Sequence, residues 1–282
     1  MLSYVLFYPS LALSFAVGAI DYPSARKIHA IPMPRAGGFA FFSAFMTIFC
    51  ISPVKNEMKL PLLFGGAIIF LVGMFDDTIS LSPFQKLAGQ FLAVAVYVYA
   101  SGEKTLIEGI LSLLWIVYLM NAINLSDGLD GLAGGICAGQ SLCLGVASLV
   151  FQNPSTLLCS LILLGSISGF LPKNFPRAKI FMGDSGALFL GYALGVISSS
   201  LVMESGSFVC LLSVLLIFRL PTYDTNLSIF RRIIKGKNPF AADRGHFHHR
   251  LIARGFTPQC ATLALVSISL AFGLLGIMII AL

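Results

Sequence analysis

The sequence predicts an all-α, polytopic integral membrane protein with about ten transmembrane helices. Of its 282 residues, 57% are hydrophobic and only 11% are charged, and the mean hydropathy is +0.91. A soluble domain carries about 25% charged residues. Apolar runs recur along the chain at lengths that suit membrane helices. The short alternating segments of a transmembrane barrel are not seen.

The predicted spans follow one another through the whole chain, so residues 1–282 are interpreted as a single transmembrane domain. The first run lacks the basic start of a signal peptide and resembles the later runs, which favours a first span. The ten apolar segments are 1–20, 38–54, 60–75, 86–101, 105–123, 132–151, 156–171, 185–203, 207–222 and 258–281.

The charges divide the intervening loops into two sets. One set carries 15 of the 18 lysines and arginines and the other carries 3. The excess of positive charge in cytoplasmic loops therefore predicts that both termini are non-cytoplasmic. All eight aspartates and all four histidines fall in the cytoplasmic set. The predicted catalytic loops lie at about 21–37, 76–85, 124–131, 172–184 and 223–257.

The net charge of +6 does not indicate a nucleic-acid partner, because the basic residues lie in short loops between apolar runs. The six cysteines form no CxxC pair, and most lie in apolar segments. We interpret them as small buried side chains rather than as metal ligands or disulfides.

Two adjacent carboxylates, Asp76 and Asp77, lie at the cytoplasmic end of the third predicted span. Acids at a membrane boundary are costly and are candidates for function. Mg²⁺ would relieve their repulsion, since it binds one or two carboxylates together with substrate phosphates. The alternative is a solvated helix end.

A polar stripe leaves the fifth predicted span, with Asn121, Asn124, Asp127 and Asp130 at every third position. On a helix such residues share a face. The glycines that follow allow a close approach of the backbone to a ligand. A polar connection between helices is the weaker alternative.

Asp184 begins the eighth predicted span. At a helix N-terminus it could be a cap or a metal ligand, and the sequence favours neither. Nearby Phe181 could stack on a base, although a single aromatic residue at a boundary is more often an interface anchor.

A histidine-rich segment follows in the longest cytoplasmic loop, where His246, His248 and His249 are flanked by Arg244 and Arg250. This composition suits a polyanion. Zinc is less favoured, because no cysteine completes a site and the spacing is not that of common zinc sites. A solvated basic loop is the alternative. Carboxylates for a metal and cations for phosphates, together at one membrane face, predict phosphoryl transfer to a lipid-tailed substrate.

These motifs resemble the polyprenyl-phosphate N-acetylhexosamine-1-phosphate transferases of glycosyltransferase family 4, and the UDP-GlcNAc-using initiators of cell-envelope glycan synthesis most closely. The resemblance runs in order through nearly the whole chain. It rests on residues 21–38, Asp76 and Asp77, Lys86 to Gln90, Asn124 to Asp130, Phe181 to Gly186, and residues 221–251.

The resemblance implies transfer of a sugar 1-phosphate from a UDP-N-acetyl sugar to undecaprenyl phosphate in a bacterial inner membrane, with Mg²⁺ (or Mn²⁺ in its place). A homodimer is a further implication. The metal would be held by Asp184, close to Asp76 and Asp77. The other implied catalytic residues are Lys86, His246, His248 and His249. The implied substrate-binding residues are Lys27, Arg35, Asn124, Asp127, Asp130, Asn174, Phe181 and Arg244.

Two alternatives stay open. A phospho-MurNAc-pentapeptide transferase belongs to the same family but has a different histidine pattern. A membrane transporter would also carry intramembrane charges, yet these typically lie near the bilayer midplane. The predicted acids gather instead at one face.

Overall fold

The computed structural model describes residues 1–23, 31–102, 105–236 and 245–282, and this part of the chain is nearly all α-helical. Two short strands, β1 (Ile20–Asp21) and β2 (Met33–Pro34), pair antiparallel. A π-helical turn, Pro61–Gly65, joins α4 to α5. The helices are α1 (Leu2–Val5), α2 (Phe7–Val17), α3 (Gly38–Ile51), α4 (Asn56–Leu60), α5 (Gly66–Ile79), α6 (Pro83–Ala100), α7 (Leu106–Ser126), α8 (Leu132–Val150), α9 (Pro154–Asn174), α10 (Gly183–Ser205), α11 (Phe208–Ile217), α12 (Arg219–Ile234), α13 (Phe247–Ala253) and α14 (Pro258–Ala281).

Within the described residues, six helical segments are long and apolar enough to cross a membrane. A seventh is added if α11 and α12, which meet at a bend of 71°, form one span. The prediction of a multi-pass membrane protein is therefore confirmed, with a fold that is nearly all-α. The six segments are Asn56–Ile79, α7, α8, α9, α10 and α14.

The predicted count of ten spans is not confirmed. The first predicted span is divided into α1 and the eleven-residue α2, and the second forms the fourteen-residue α3. A hydrocarbon core needs about 20 helical residues, so both helices are short for a crossing. The predicted span 207–222 is interrupted at Phe218, where α11 gives way to the more polar α12.

Helix α10 is the centre of the fold, since every residue from Ser185 to Leu201 is buried. Small residues let α7 approach it closely. A Cβ atom on Gly191 would lie 2.5 Å from the Cα of Met120, and one on Gly195 would lie 3.1 Å from the Cα of Ile116. Membrane helices commonly use small residues four positions apart in this way. The close packing fixes the first turn of α10 relative to the end of α7.

The segment before α3 is attached to the loop that precedes α10. The backbone N–H of Phe181 donates to the carbonyl of Pro34 at 2.8 Å, and Gly37 N–H donates to the carbonyl of Phe181 at 3.0 Å. Gly38 N–H donates to the carbonyl of Met182 at 2.8 Å. These bonds hold Arg35 beside the start of α10.

The other end of α10 is held by side-chain hydrogen bonds. Trp115 Nε1 donates to the hydroxyl of Ser198 at 2.9 Å, and the hydroxyls of Ser112 and Ser199 lie 2.6 Å apart. Near the C-terminus of the helix, Asn153 Nδ2 donates to Glu204 Oε2 at 3.0 Å. These groups satisfy one another between packed helices.

Candidate active site

A cavity of about 570 Å³ lies where α7, α10 and α14 meet the loops at one end of the molecule. Its wall includes eight of the residues that the sequence predicted. These are Arg35, Asn124, Asp127, Asp130, Asn174, Phe181, Asp184 and His249. The predicted Asp77 and Lys86 contact the backbone or side chain of Asp184 from α5 and α6, and Asp76 binds Lys86. Residues that are distant in sequence therefore converge on the start of α10.

Asp77 caps the N-terminus of α10 from a different helix. Its Oδ1 accepts from the backbone N–H of Asp184 at 2.9 Å, and its Oδ2 accepts from Ser185 N–H at 3.0 Å. The guanidinium of Arg35 lies 3.3 Å from Oδ1. A carboxylate at this position satisfies free helix N–H groups and opposes the positive end of the helix dipole. Asp77 thus fixes α5 against α10.

Gly183 makes this junction possible. Its φ is +72°, a left-handed conformation that residues with a Cβ atom rarely adopt. A Cβ atom here would lie 2.1 Å from the carbonyl oxygen of Arg35 and 2.5 Å from Asp77 Oδ2. The chain can therefore turn into α10 directly beneath the Asp77 carboxylate.

Asp184 is the centre of the charged cluster. Lys86 Nζ lies 2.6 Å from Asp184 Oδ2 and 2.5 Å from Asp76 Oδ2. On the other side, Asn124 Nδ2 donates to Asp184 Oδ1 at 3.2 Å, and Arg35 Nη2 is 3.6 Å from the same oxygen. One carboxylate thus joins groups from α6, α7 and the segment before α3.

Asp127 lies at the end of α7 and faces the same cavity. Burial, together with the negative charge of Asp184, raises the pKa of Asp127 to about 7 against the opposing effect of Arg35. Aspartates outnumber the described cations here, since Asp21, Asp76, Asp77, Asp127, Asp130 and Asp184 gather near Arg35 and Lys86. A site with this charge balance suits an additional cation.

The donor set fits Mg²⁺ better than a metal enclosed by protein. Among the described residues, no three histidine, cysteine or acidic side chains converge as a ready-made metal site. Mg²⁺ usually needs only one or two carboxylates and completes its shell with water and substrate phosphates. Asp76 and Asp184 already share one cationic group, Lys86 Nζ. Both oxygens of Asp77, by contrast, accept backbone hydrogen bonds.

Two predicted substrate-binding residues form hydrogen bonds to the protein backbone, and these bonds shape the cavity wall. Asn174 Oδ1 accepts from Gly131 N–H at 3.0 Å, and its Nδ2 donates to the carbonyl of Ile180 at 2.9 Å. Asp130 Oδ2 accepts from Ala178 N–H at 2.9 Å. These bonds join the turn after α7 to the loop between α9 and α10.

The three predicted histidines have different surroundings. His249 lines the cavity. His246 and His248 are only 4% and 3% exposed, and neither is among the residues that line it. Burial, together with the neighbouring His249 and His246, lowers the pKa of His248 to about 4. His248 is therefore neutral near pH 7.

Sequence reasoning did not select several residues of this region. Asp21, Pro258 and Gln259 line the cavity, and Asp224 binds His246. Asp21 could have been chosen as another cytoplasmic acid. Nothing in the local pattern distinguishes Gln259, which reaches the cavity because α14 begins beside it. The predicted Lys27 and Arg244 lie outside the described residues.

The fold and the cavity define a multi-pass membrane protein with an aspartate-rich site at its helix ends. The family model for glycosyl transferase family 4 matches residues 59–202. The chain is 35% identical to a probable undecaprenyl-phosphate N-acetylglucosaminyl 1-phosphate transferase of Bacillus subtilis, over 95% of this chain and 79% of the relative. This chain belongs to glycosyl transferase family 4.

Two further relatives are undecaprenyl-phosphate alpha-N-acetylglucosaminyl 1-phosphate transferases. The Thermotoga maritima protein is 35% identical over 92% of this chain and 81% of its own length. The Escherichia coli K12 protein is 27% identical over 96% of this chain and 80% of its own length. The family identified from the sequence motifs is therefore confirmed.

Proposed function

We propose that this protein transfers GlcNAc 1-phosphate from UDP-GlcNAc to undecaprenyl phosphate, which initiates a cell-envelope glycan. The names of its relatives support this assignment. The observation that carries it is the cluster of Asp76, Lys86 and Asp184 beside a cavity of about 570 Å³. That volume suits a small-molecule donor, and the adjoining apolar helices suit a lipid acceptor.

The proposed reaction is a single in-line displacement. A phosphate oxygen of the lipid forms a bond to the phosphorus that carries the sugar, and the bond from that phosphorus to UMP breaks. The products are polyprenyl diphosphate-GlcNAc and UMP. A phosphate monoester has a second pKa of about 6, so near pH 7 the lipid phosphate is largely ionised without a strong base.

The residues of the cluster would position and stabilise charge. Lys86, which bridges Asp76 and Asp184, would bind phosphate oxygens. Mg²⁺, when bound, would be held by Asp184 with Asp76 and would offset charge on the diphosphate. Asp77 would orient the first turn of α10 through its backbone bonds. His249, which lines the same cavity, would contact the donor.

The location of the site is a further part of the proposal. The distribution of lysine and arginine supports a cytoplasmic active site in a bacterial inner membrane. Ten spans with both termini outside would require that α3, α6 and the N-terminal helices also cross the membrane. The homodimer stays a prediction.

The test uses purified protein in detergent with undecaprenyl phosphate and UDP-GlcNAc, and follows UMP release with Mg²⁺ or with a chelator. We expect release that requires both the lipid and the metal. Release only with another donor, including UDP-MurNAc-pentapeptide, would correct the sugar. Folded protein that releases no UMP from any UDP-sugar would contradict the enzyme assignment and favour a transporter.

The single-step route has its own test, because carboxylates can also act as nucleophiles. Incubation with UDP-GlcNAc alone, without lipid, should leave the protein unmodified. A phosphorylated aspartate trapped under these conditions would contradict the single displacement.

A further inference from the structure

A buried acidic residue on α12 contacts the histidine segment from outside the cavity. We infer that Asp224 is a positioning residue that acts through His246 to hold His249 in the cavity wall. This inference rests on the proposed function, because His249 is the histidine of this segment that faces the proposed donor site.

Both oxygens of Asp224 bind the segment that it would position. Oδ2 lies 2.9 Å from His246 Nδ1, and Oδ1 accepts from the backbone N–H of Phe247 at 3.0 Å. Asp224 is 6% exposed. Phe247 is the first residue of α13, and the N-cap residue His246 supplies no side-chain cap. Asp224 therefore provides the acceptor that this helix start lacks.

A series of ring contacts connects this bond to the cavity. The rings of His246 and His248 are nearly parallel, with an interplanar angle of 4° and centroids 5.8 Å apart. The His248 and His249 centroids lie 4.2 Å apart. His248 also packs on the backbone of Gly128, where a Cβ atom would lie 2.2 Å from its Nε2. A shift of His246 would therefore be transmitted to His249.

The helix that carries Asp224 is itself fixed to the active-site framework. Tyr118 of α7 donates from its hydroxyl to the carbonyl of Thr222 and to Asn226 Oδ1, both at 2.8 Å. The same α7 carries Asn124 and leads into Asp127. Asp224 thus connects α12, which is hydrogen-bonded to α7, to the histidine segment.

A histidine paired with a carboxylate could instead be a general acid–base pair. The geometry argues against that role for Asp224 and His246. His246 is 4% exposed, and it is not among the residues that line the cavity. Its second ring nitrogen faces the buried hydroxyl of Ser228 at 3.5 Å. The pair therefore acts by orienting the segment.

The test is a double-mutant cycle on kcat/KM for UMP release. We expect Asp224→Asn to lower kcat/KM on the order of 10-fold, the scale for losing an outer partner of a site residue. In a His249→Ala background, Asp224→Asn should cause little further loss, because both changes remove the same contribution. Equal losses in both backgrounds, or no loss in either, would overturn the inference.

Glu204→Gln is the matched control, because it changes a part-buried carboxylate to an amide at the far end of α10. It should leave kcat/KM unchanged in both backgrounds. A merely destabilising substitution would lower activity to the same degree in both. If Asp224→Asn does not fold, His246→Gln, which removes the imidazole, takes its place in the cycle.

A second measurement separates this inference from the proposed function. Carbethoxylation of each histidine by diethyl pyrocarbonate, read by mass spectrometry, needs no turnover. His246 and His248 should be protected in the wild type and in Glu204→Gln, and should react in Asp224→Asn. A wild type that releases no UMP but shows this pattern would defeat the proposed function alone. Continued protection in folded Asp224→Asn would defeat the positioning role.

Discussion

Both ends of α10 carry polar side chains, but the partners of these side chains differ. At the first turn, Asp184 lies among charges of both signs at the edge of a cavity. Toward the other end, Ser198 and Ser199 bind uncharged partners on α7 in a packed interface. Polarity inside a membrane protein therefore does not by itself mark a site. The informative combination is an excess of carboxylates together with open space.

The different energetic costs of charged and neutral polar groups in a membrane protein explain why the two ends of α10 differ. Charged groups in a membrane protein are costly and persist where they pair or serve a function. A neutral hydrogen bond between membrane helices contributes about 0.6 kcal/mol on average. Substitutions at the two ends of α10 should consequently differ in both kind and size.

The largest difference is expected for Asp184→Asn. This change removes one negative charge from the centre of the cluster, where it faces Lys86 and Arg35. We expect UMP release to fall at least about 100-fold, the scale for a group that stabilises transition-state charge. Glu204→Gln at the opposite end should retain wild-type rates in the same assay. Near-native turnover of Asp184→Asn would contradict the proposal that Asp184 holds the metal.

The adjacent acids Asp76 and Asp77 allow a finer comparison, between two neighbouring residues of the same site. Asp77→Asn cannot accept both backbone N–H bonds equally and loses its charge pairing with Arg35. Loss of a helix cap costs about 1 kcal/mol, or roughly 2–4 °C in Tm for a chain of this size. Thermal unfolding in detergent should show that decrease for Asp77→Asn.

Asp76→Asn is the comparison for this prediction, because Asp76 also pairs with a cation but accepts one backbone hydrogen bond, from Leu81, where Asp77 accepts two at the start of α10. It should lose activity with a smaller change in Tm. Equal effects of the two substitutions on Tm would mean that the capping role of Asp77 has been overestimated.

The histidine segment should make stability depend on pH. The pKa of His248 in the folded protein is about 4, below the ordinary value of about 6.5. Protonation therefore favours the unfolded state, and stability is lost as the pH falls from about 6.5 toward 4. His248→Phe keeps a ring against Gly128 but cannot titrate. Its Tm should decrease less than that of the wild type between pH 7 and pH 5, and parallel decreases would contradict this assignment.

The smallest effect is expected at the hydrogen bonds between neutral groups toward the C-terminus of α10. Ser199→Ala removes one interhelical hydrogen bond, to Ser112. The expected loss of about 0.6 kcal/mol corresponds to a decrease in Tm of roughly 1–3 °C. UMP release should be unchanged. A large loss of activity here would show that the two ends of α10 are coupled.

Much of the candidate site was predictable because the types of its residues indicate its chemistry. Asp76, Asp127 and Asp184 were selected as acids at membrane boundaries, and they converge within the structure. What the sequence could not provide was the role of each acid. Adjacent residues on a helix point in different directions, so Asp77 meets the backbone of α10 while Asp76 meets Lys86.

The span count was less predictable for a physical reason. Hydropathy detects apolar runs, but it does not show where a helix is interrupted. Residues 1–20 divide at Leu6 into two helices, and the run after Ser207 bends by 71° beyond Ile217. Asp224 lies in the segment after that bend. Its contact with His246 depends on the path that the chain takes after this bend, and local sequence patterns do not describe that path.

The exposed thiols give this chain natural reporters of its orientation. Cys50 and Cys260 are exposed, whereas Cys137, Cys143, Cys159 and Cys210 are buried. Cys50 lies near the far end of α3, and Cys260 lies next to Gln259 at the cavity. A membrane-impermeant maleimide applied to intact cells and to inverted vesicles would therefore address opposite poles of the molecule. The side of the membrane that holds the site can be read from the unmodified protein.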